Sequence, residues 1–161
     1  MQPVMGNAHT FVAETLGRIH TELFEKLRKL EEAAGLSSSQ DLVELRARLV
    51  AMHRHIVEHF LFEDQYQIEL IRQREPRLDR TIQRFAEEHC QMTESLFALI
   101  GEAESSSKFE DELRERVRSW VNEVRQHETR EDMLLQGRIN LGSGAAEPGA
   151  TCLTSASQRR P

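Results

Sequence analysis

The chain has 161 residues and carries 27 Asp and Glu against 21 Lys and Arg, a formal net charge of −6 and a pI near 5.7. This length suits one domain around a single core, and the acidic balance argues against nucleic acid or an anionic membrane as a partner, since both need a basic face. No basic stretch leads into an apolar run at the start, and nowhere do about twenty apolar residues follow one another, so the expected location is the cytoplasm. Two cysteines, Cys90 in a periodic segment and Cys152 near the end, fit reduced thiols better than a disulfide.

Prolines stand only at 3, 76, 148 and 161, alternation of the strand type is missing, and Leu, Glu, Arg and Ala dominate the middle of the chain. The chain therefore reads as all-α. After an N-terminal arm at 1–8, four helical segments are expected near 8–34, 41–74, 77–103 and 109–137. They are separated by "GLSSSQD", by "REPRLD" around Pro76, and by "GEAESSSKFED". Connections this short imply antiparallel neighbours, hence an up-down-up-down four-helix bundle over 9–137. From 138 to 161 the composition turns to Gly, Ser, Ala and Thr with little to bury, which reads as a flexible, disordered tail.

The first segment sets Leu16, His20, Leu23 and Leu27 on one broad face. In the second, Leu42, Leu45, Leu49, Met52, Ile56, His59, Glu63, Tyr66 and Leu70 recur at steps of three and four, the inward stripe of a bundle helix. The third repeats the pattern through Leu78, Ile82, Phe85, His89, Met92 and Leu96. The fourth does so through Leu113, Val117, Trp120, Val124, His127, Glu131 and Leu134. Four histidines and two glutamates thus interrupt apolar seams, at least one on every helix.

The two halves echo each other. His20 corresponds to His89, His59 to His127 and Glu63 to Glu131, with 39 residues from His20 to His59 and 38 from His89 to His127. Residues four apart stack on one helical face, so each His-x-x-x-Glu presents an imidazole and a carboxylate to a common ion. Buried carboxylates without partners would cost several kcal/mol each, which makes a compensating cation the economical reading. Nitrogen and oxygen donors without thiolate suit iron, manganese or zinc, and argue against a structural zinc knot. Asp64 and Asp132 follow the seam glutamates and read as outer contacts or solvated residues. His55, one turn before His59, is a candidate extra donor, His53 and His9 read as exposed, and Cys90 as an ordinary buried thiol. Phe24, Phe85, Met92 and Trp120 are candidates to keep the site dry. The ferritin-like alternative needs an acid three residues before a ligand histidine, where this chain has Gly17, Ile56, Ala86 and Val124.

A lone His, a His-x-x-x-Glu, a second lone His and a second His-x-x-x-Glu, spread over four helices, resembles the hemerythrin-like, or HHE cation-binding, family over about residues 9–137. The resemblance implies His20, His59, His89 and His127 as terminal metal ligands, with Glu63 and Glu131 bridging two non-haem irons joined by an oxo or hydroxo group. It further implies binding, sensing or reduction of dioxygen, peroxide or nitric oxide, or else iron handling or metal-responsive regulation without turnover. Thr93 stands four residues after His89 and Phe85 four before, where the oxygen carriers have a second histidine, and Glu131 replaces their aspartate. Those departures shift the expectation from reversible oxygen carriage toward redox turnover, sensing or metal handling.

Overall fold

The structure, a computed structural model, describes residues 6–35, 39–67, 72, 76–108 and 110–141. Four long helices account for nearly all of it: α1 (Gly6–Gly35), α2 (Ser39–Phe62), α3 (Asp79–Ser105) and α4 (Asp111–Leu141). No strand occurs among the described residues. Helix α4 runs to Leu141, through the first four residues of the span expected as a tail; the rest of that span with Cys152, residue Leu70, and the side chains of His9 and Leu16 lie outside the described part of the chain.

Helix α1 packs against α2 and α4, and α3 packs against the same two, so the four close into a bundle. Their apolar stripes meet inside it. Leu23, Leu27 and Leu30 come from α1, Leu45, Leu49, Met52 and Ile56 from α2, Met92, Leu96 and Leu99 from α3, and Val117, Trp120, Val121 and Val124 from α4. The Trp120 indole Nε1–H donates to the Met92 carbonyl at 2.9 Å, which satisfies the polar tip of the largest core side chain. No described helix is long and apolar enough to cross a membrane.

Three local departures from the sequence reading have physical causes. The second segment does not continue as an α-helix, because a π-helical turn occupies Glu63–Gln67. An extra residue in the turn rotates the side chains beyond it around the axis, and Tyr66, expected inside, is 51% exposed. Cys90, expected to be buried, is exposed: it lies about 100° around α3 from the inward His89, on a side that no neighbouring helix covers. Phe24 is likewise on the outside, at 37% exposure. It follows the fully buried Leu23 directly, so the same rotation turns it away from the axis.

The α2 and α3 helices are clamped at one end by Arg46. Its guanidinium donates to the carbonyls of Ala103 (2.5 Å), Ser106 (2.6 Å) and Glu104 (3.5 Å). A cation placed on the unsatisfied carbonyls at a helix C-terminus satisfies them and opposes the negative end of the dipole. The α3 terminus has no basic residue of its own in its last turn, so α2 supplies the charge.

Candidate metal centre

At one level of the bundle the apolar packing gives way to a polar cluster. His59, Glu63, His89, His127, Glu128 and Glu131 are buried, and they are all the buried polar or charged side chains among the described residues. His20 completes the cluster from α1, with its side chain 14% exposed. All six residues singled out by periodicity come together here. A seventh, Glu128, was not expected.

The donors fall into two groups whose atoms lie within 4.8 Å of one another: His20, His59, Glu63 and Glu128, and then His89, His127 and Glu131. In the first, Glu63 Oε1 lies 3.1 Å from Nε2 of both His20 and His59. Glu128 faces it, with Oε1 3.1 Å from His59 Nε2 and Oε2 3.4 Å from His20 Nε2. In the second, Glu131 Oε1 is 3.6 Å from His89 Nε2 and 3.8 Å from His127 Nε2. Glu63 also belongs to this side, since its other oxygen is 3.6 Å from His89 Nε2. It is the residue that connects the two groups.

Carboxylates outside the cluster hold the backs of the imidazoles. His89 Nδ1–H donates to Asp64 at 2.9 Å and His127 Nδ1–H to Glu88 at 2.8 Å, while Asp132 stands 3.7 Å from His20 Nδ1. Glu88 is itself gripped by both terminal nitrogens of Arg130, at 3.1 and 2.7 Å. Carboxylates only accept, so these contacts commit the Nδ1 protons of His89 and His127 and leave each neutral ring with a bare Nε2. Those two Nε2 atoms are 2.7 Å apart. Lone pairs directed at each other across that distance repel unless a proton or a cation lies between them.

Protonation follows the same division. Burial pulls the His59 imidazole down, but the carboxylates of Glu128 and Glu63 outweigh it and raise its pKa to about 9. Burial raises Glu63, yet the hydrogen bonds of His20 and His59 overcome this and hold it below the usual carboxylate range. Glu131 has no such imidazolium beside it: burial and then the charges of Glu63 and Glu128 push it far up. Glu128 also rises, through burial first. His127 goes the other way, to about 4, because burial outweighs the bond to Glu88 and His89 adds to the effect. Without a cation, the cluster therefore balances its carboxyl groups with protons, held on His59 and on Glu131.

The unsatisfied oxygens test whether a cation fits. Glu63 Oε2, Glu128 Oε2 and Glu131 Oε2 are buried with no hydrogen-bond partner, and leaving such groups unsatisfied costs about 1–3 kcal/mol each, more if charged. Three orphaned carboxylate oxygens beside converging imidazole lone pairs are the donor set of a metal site. The residues fit the group.

The same arrangement decides the family. Residues 12–139 match the family model described as "Hemerythrin HHE cation binding domain". The chain belongs to that family. No curated protein and no solved structure matches it. An HHE domain is a cation-binding helical domain, and the polar cluster is where this one has its candidate ligands.

Two other histidines lie near the HHE cluster without joining it. His55 stacks on His59 with ring centroids 6.4 Å apart, but contributes no donor to either group. His53, expected to be exposed, is half-buried against Phe97. Glu128 escaped the periodic reading because a seam drawn through single positions skips it: it follows His127 and sits about 100° around α4. One signal was present. Position 121, seven residues before Glu128 and on the same line of the helix, is an apolar valine beside Trp120, and its full burial shows a stripe on α4 two residues wide.

Phe60 forms a wall of the site. Its ring stacks on His89 at 4.0 Å, nearly parallel at 8°, and meets His127 edge-on at 5.8 Å. Phe85 covers His127 from another side at 5.4 Å. Phe85, Met92 and Trp120 are buried as expected. A cavity of about 350 Å³ between α2 and α3, lined by Val57, Phe60, Leu61, Asp64, His89 and Cys90, leads from the surface to the His89 edge.

Proposed function

We propose that this chain holds two non-haem metal ions, iron in the first instance, and binds, senses or reduces a small diatomic or peroxide ligand. The supporting observation is the sharing of Glu63 between the two donor groups, with Oε1 directed at His20 and His59 and Oε2 toward His89. His20, His59 and Glu128 would hold one ion, His89, His127 and Glu131 the other, with Glu63 serving both. When bound, a ferrous pair supplies electrons to dioxygen or peroxide at an open coordination position.

The chain's own residues supply the rest. Asp64 and Glu88 fix the Nδ1–H tautomers of His89 and His127, which turns their Nε2 lone pairs inward and raises their basicity as ligands. Phe60 covers one face of the His89 ring and Phe85 packs on His127. With Glu63 shared, each ion would have three donors of its own, and on the His89 helix Thr93 stands where the carriers have another imidazole. A small ligand is therefore expected at the His89 end, reached through the cavity beside Phe60. The reading takes sequential helices as antiparallel, supported by Arg46 near the start of α2 reaching carbonyls at the end of α3. A cytoplasmic setting is consistent with the free Cys90.

Anaerobic reconstitution followed by metal quantification and exposure to dioxygen tests this. About two irons per chain and a near-ultraviolet charge-transfer band after oxidation are expected. Less than one iron per chain with no such band would sink the proposal.

A further inference from the structure

Where α2 and α3 meet solvent, α2 carries a second stripe behind its inward seam. Val43, Ala47, Val50, Arg54, Val57 and Leu61 recur at steps of four and three, and every one is exposed. Such a run on a bundle helix is the pattern of a second packing face. Exposures reach 64% at Val43, 45% at Val50, 39% at Val57 and 53% at Leu61, and Phe97 on α3 is exposed to 67%. Phe97 belongs to this face because its ring rests on His53 of α2, with centroids 6.0 Å apart. Most of the exposed large apolar side chains among the described residues are thus gathered on one side of the molecule, whereas scattered single ones would need no explanation.

The face has relief and charge as well as apolar area. Phe97 is a protruding ring, and one to two turns along α3 the cavity of about 350 Å³ beside Val57, Leu61 and Cys90 is a recess open to the same side. A knob and a hole on one surface are what a two-fold contact between identical chains requires, each copy offering its knob to the other's hole. Arg54 lies midway along the α2 stripe and Glu94 between Cys90 and Phe97 on α3. Neither forms an ion pair or side-chain hydrogen bond among the described residues. One unpaired cation on one helix and one unpaired anion on its neighbour again match a copy of themselves turned by a half rotation.

We propose that the α2/α3 face is the self-association surface of this protein and docks a second copy of the chain. Phe97 of each copy enters the recess beside Cys90 of the other, and Arg54 of each faces Glu94 of the other. Arg54 and Glu94 would then set the register of the contact while the apolar stripe supplies most of the buried area. The proposal does not depend on which metal the site holds. Docking would close the outer end of the cavity that leads to His89, so a small ligand would use that route only in the separated chain.

Sedimentation velocity of the full chain at micromolar concentration, with circular dichroism to verify helicity, provides the test. The wild-type chain is expected to be a dimer, and Phe97→Glu to weaken association by at least about tenfold with helicity unchanged, because Phe97 is 67% exposed and its ring meets only the edge of the core at His53. Arg54→Glu and Glu94→Arg should each weaken it, and the double variant R54E/E94R should recover most of the loss, since every reversed charge then meets a reversed partner. In a Cys152→Ser background, a short bismaleimide should cross-link Cys90 of one copy to Cys90 of its partner. A monomeric wild type, a dimer indifferent to Phe97→Glu, or a double variant no better than the singles would overturn the proposal. Dimerisation lost only when residues 142–161 are removed would overturn it too, in favour of the terminal segment as the contact.

Discussion

Glu128 and Glu131 make the sharpest contrast at the level of single residues. Glu131 stands in the seam four residues after His127, while Glu128 is its off-seam neighbour, yet both are buried and each has an orphaned Oε2. Glu128→Ala should therefore lower metal content at the His20 and His59 end, as Glu131→Ala should at the His89 and His127 end. Each is expected to reduce bound metal by about one ion per chain, measured by elemental analysis after reconstitution and desalting. Full occupancy in either variant would remove that residue from the ligand set. Asp64→Asn and Glu88→Gln probe a different role, since these carboxylates orient His89 and His127 rather than face the ions. Both variants should still load at saturating metal, but with affinity about 10 to 100 times lower in a competition titration against a chelator. In a linear reading the aspartate after Glu63 is either an outer contact of the site or a solvated residue. Its 2.9 Å bond to His89 gives it this function.

Among the elements, the π turn at Glu63–Gln67 and the Arg46 clamp set the geometry that the helices alone leave open. The periodicity of α2 predicted an inward Tyr66, and the prediction fails because the π turn changes the rotation per residue just where Glu63 must face two histidine pairs. Nothing in a stripe of threes and fours announces such a turn, since it is stabilised by what Glu63 meets across the bundle. Arg46 shows the same dependence: its partners are backbone carbonyls nearly sixty residues away. Arg46→Ala should destabilise the protein by about 2 kcal/mol, the loss of charge-assisted hydrogen bonds to otherwise unsatisfied carbonyls. Urea denaturation would measure it, and faster amide exchange after Ala103 would localise it to the end of α3. An unchanged midpoint would mean that water replaces the guanidinium without loss.

Across the whole molecule, the polar cluster links folding to cation and proton. Four buried or nearly buried imidazoles and three buried glutamates interrupt a core that is otherwise aliphatic and aromatic. Without a cation, the His59 imidazolium offsets part of the negative charge. Its pKa is raised from 6.5 to about 9, so its stabilising contribution to the metal-free fold is complete below about 6.5 and lost as pH rises through about 9. Glu131, also raised, shifts in the same direction, and its proton too must leave before the carboxylate can bind a cation. Metal loading near neutral pH is thus expected to release more than one proton per chain, measured by calorimetry in buffers of different ionisation enthalpy. The gain in melting temperature on loading should grow from about pH 6 to about pH 8. A pH-independent gain would mean that the ligands are already deprotonated in the metal-free chain.

Local periodicity determined by itself that the chain is helical, roughly where its four long helices begin, and that His20, His59, Glu63, His89, His127 and Glu131 share inward faces, because the direction of a side chain on a helix follows from its spacing. The family match over residues 12–139 agrees with that pattern. Spacing could not say how wide each buried stripe is, since width depends on how closely neighbouring helices approach. Tertiary packing decided that Glu128 is inside while Cys90 and Phe24 are outside. It also decided which carboxylate supports which imidazole, because Asp64 with His89 and Glu88 with His127 are contacts between helices. A ligand's presence on a face is a property of one helix, whereas its partners and its protonation belong to the bundle.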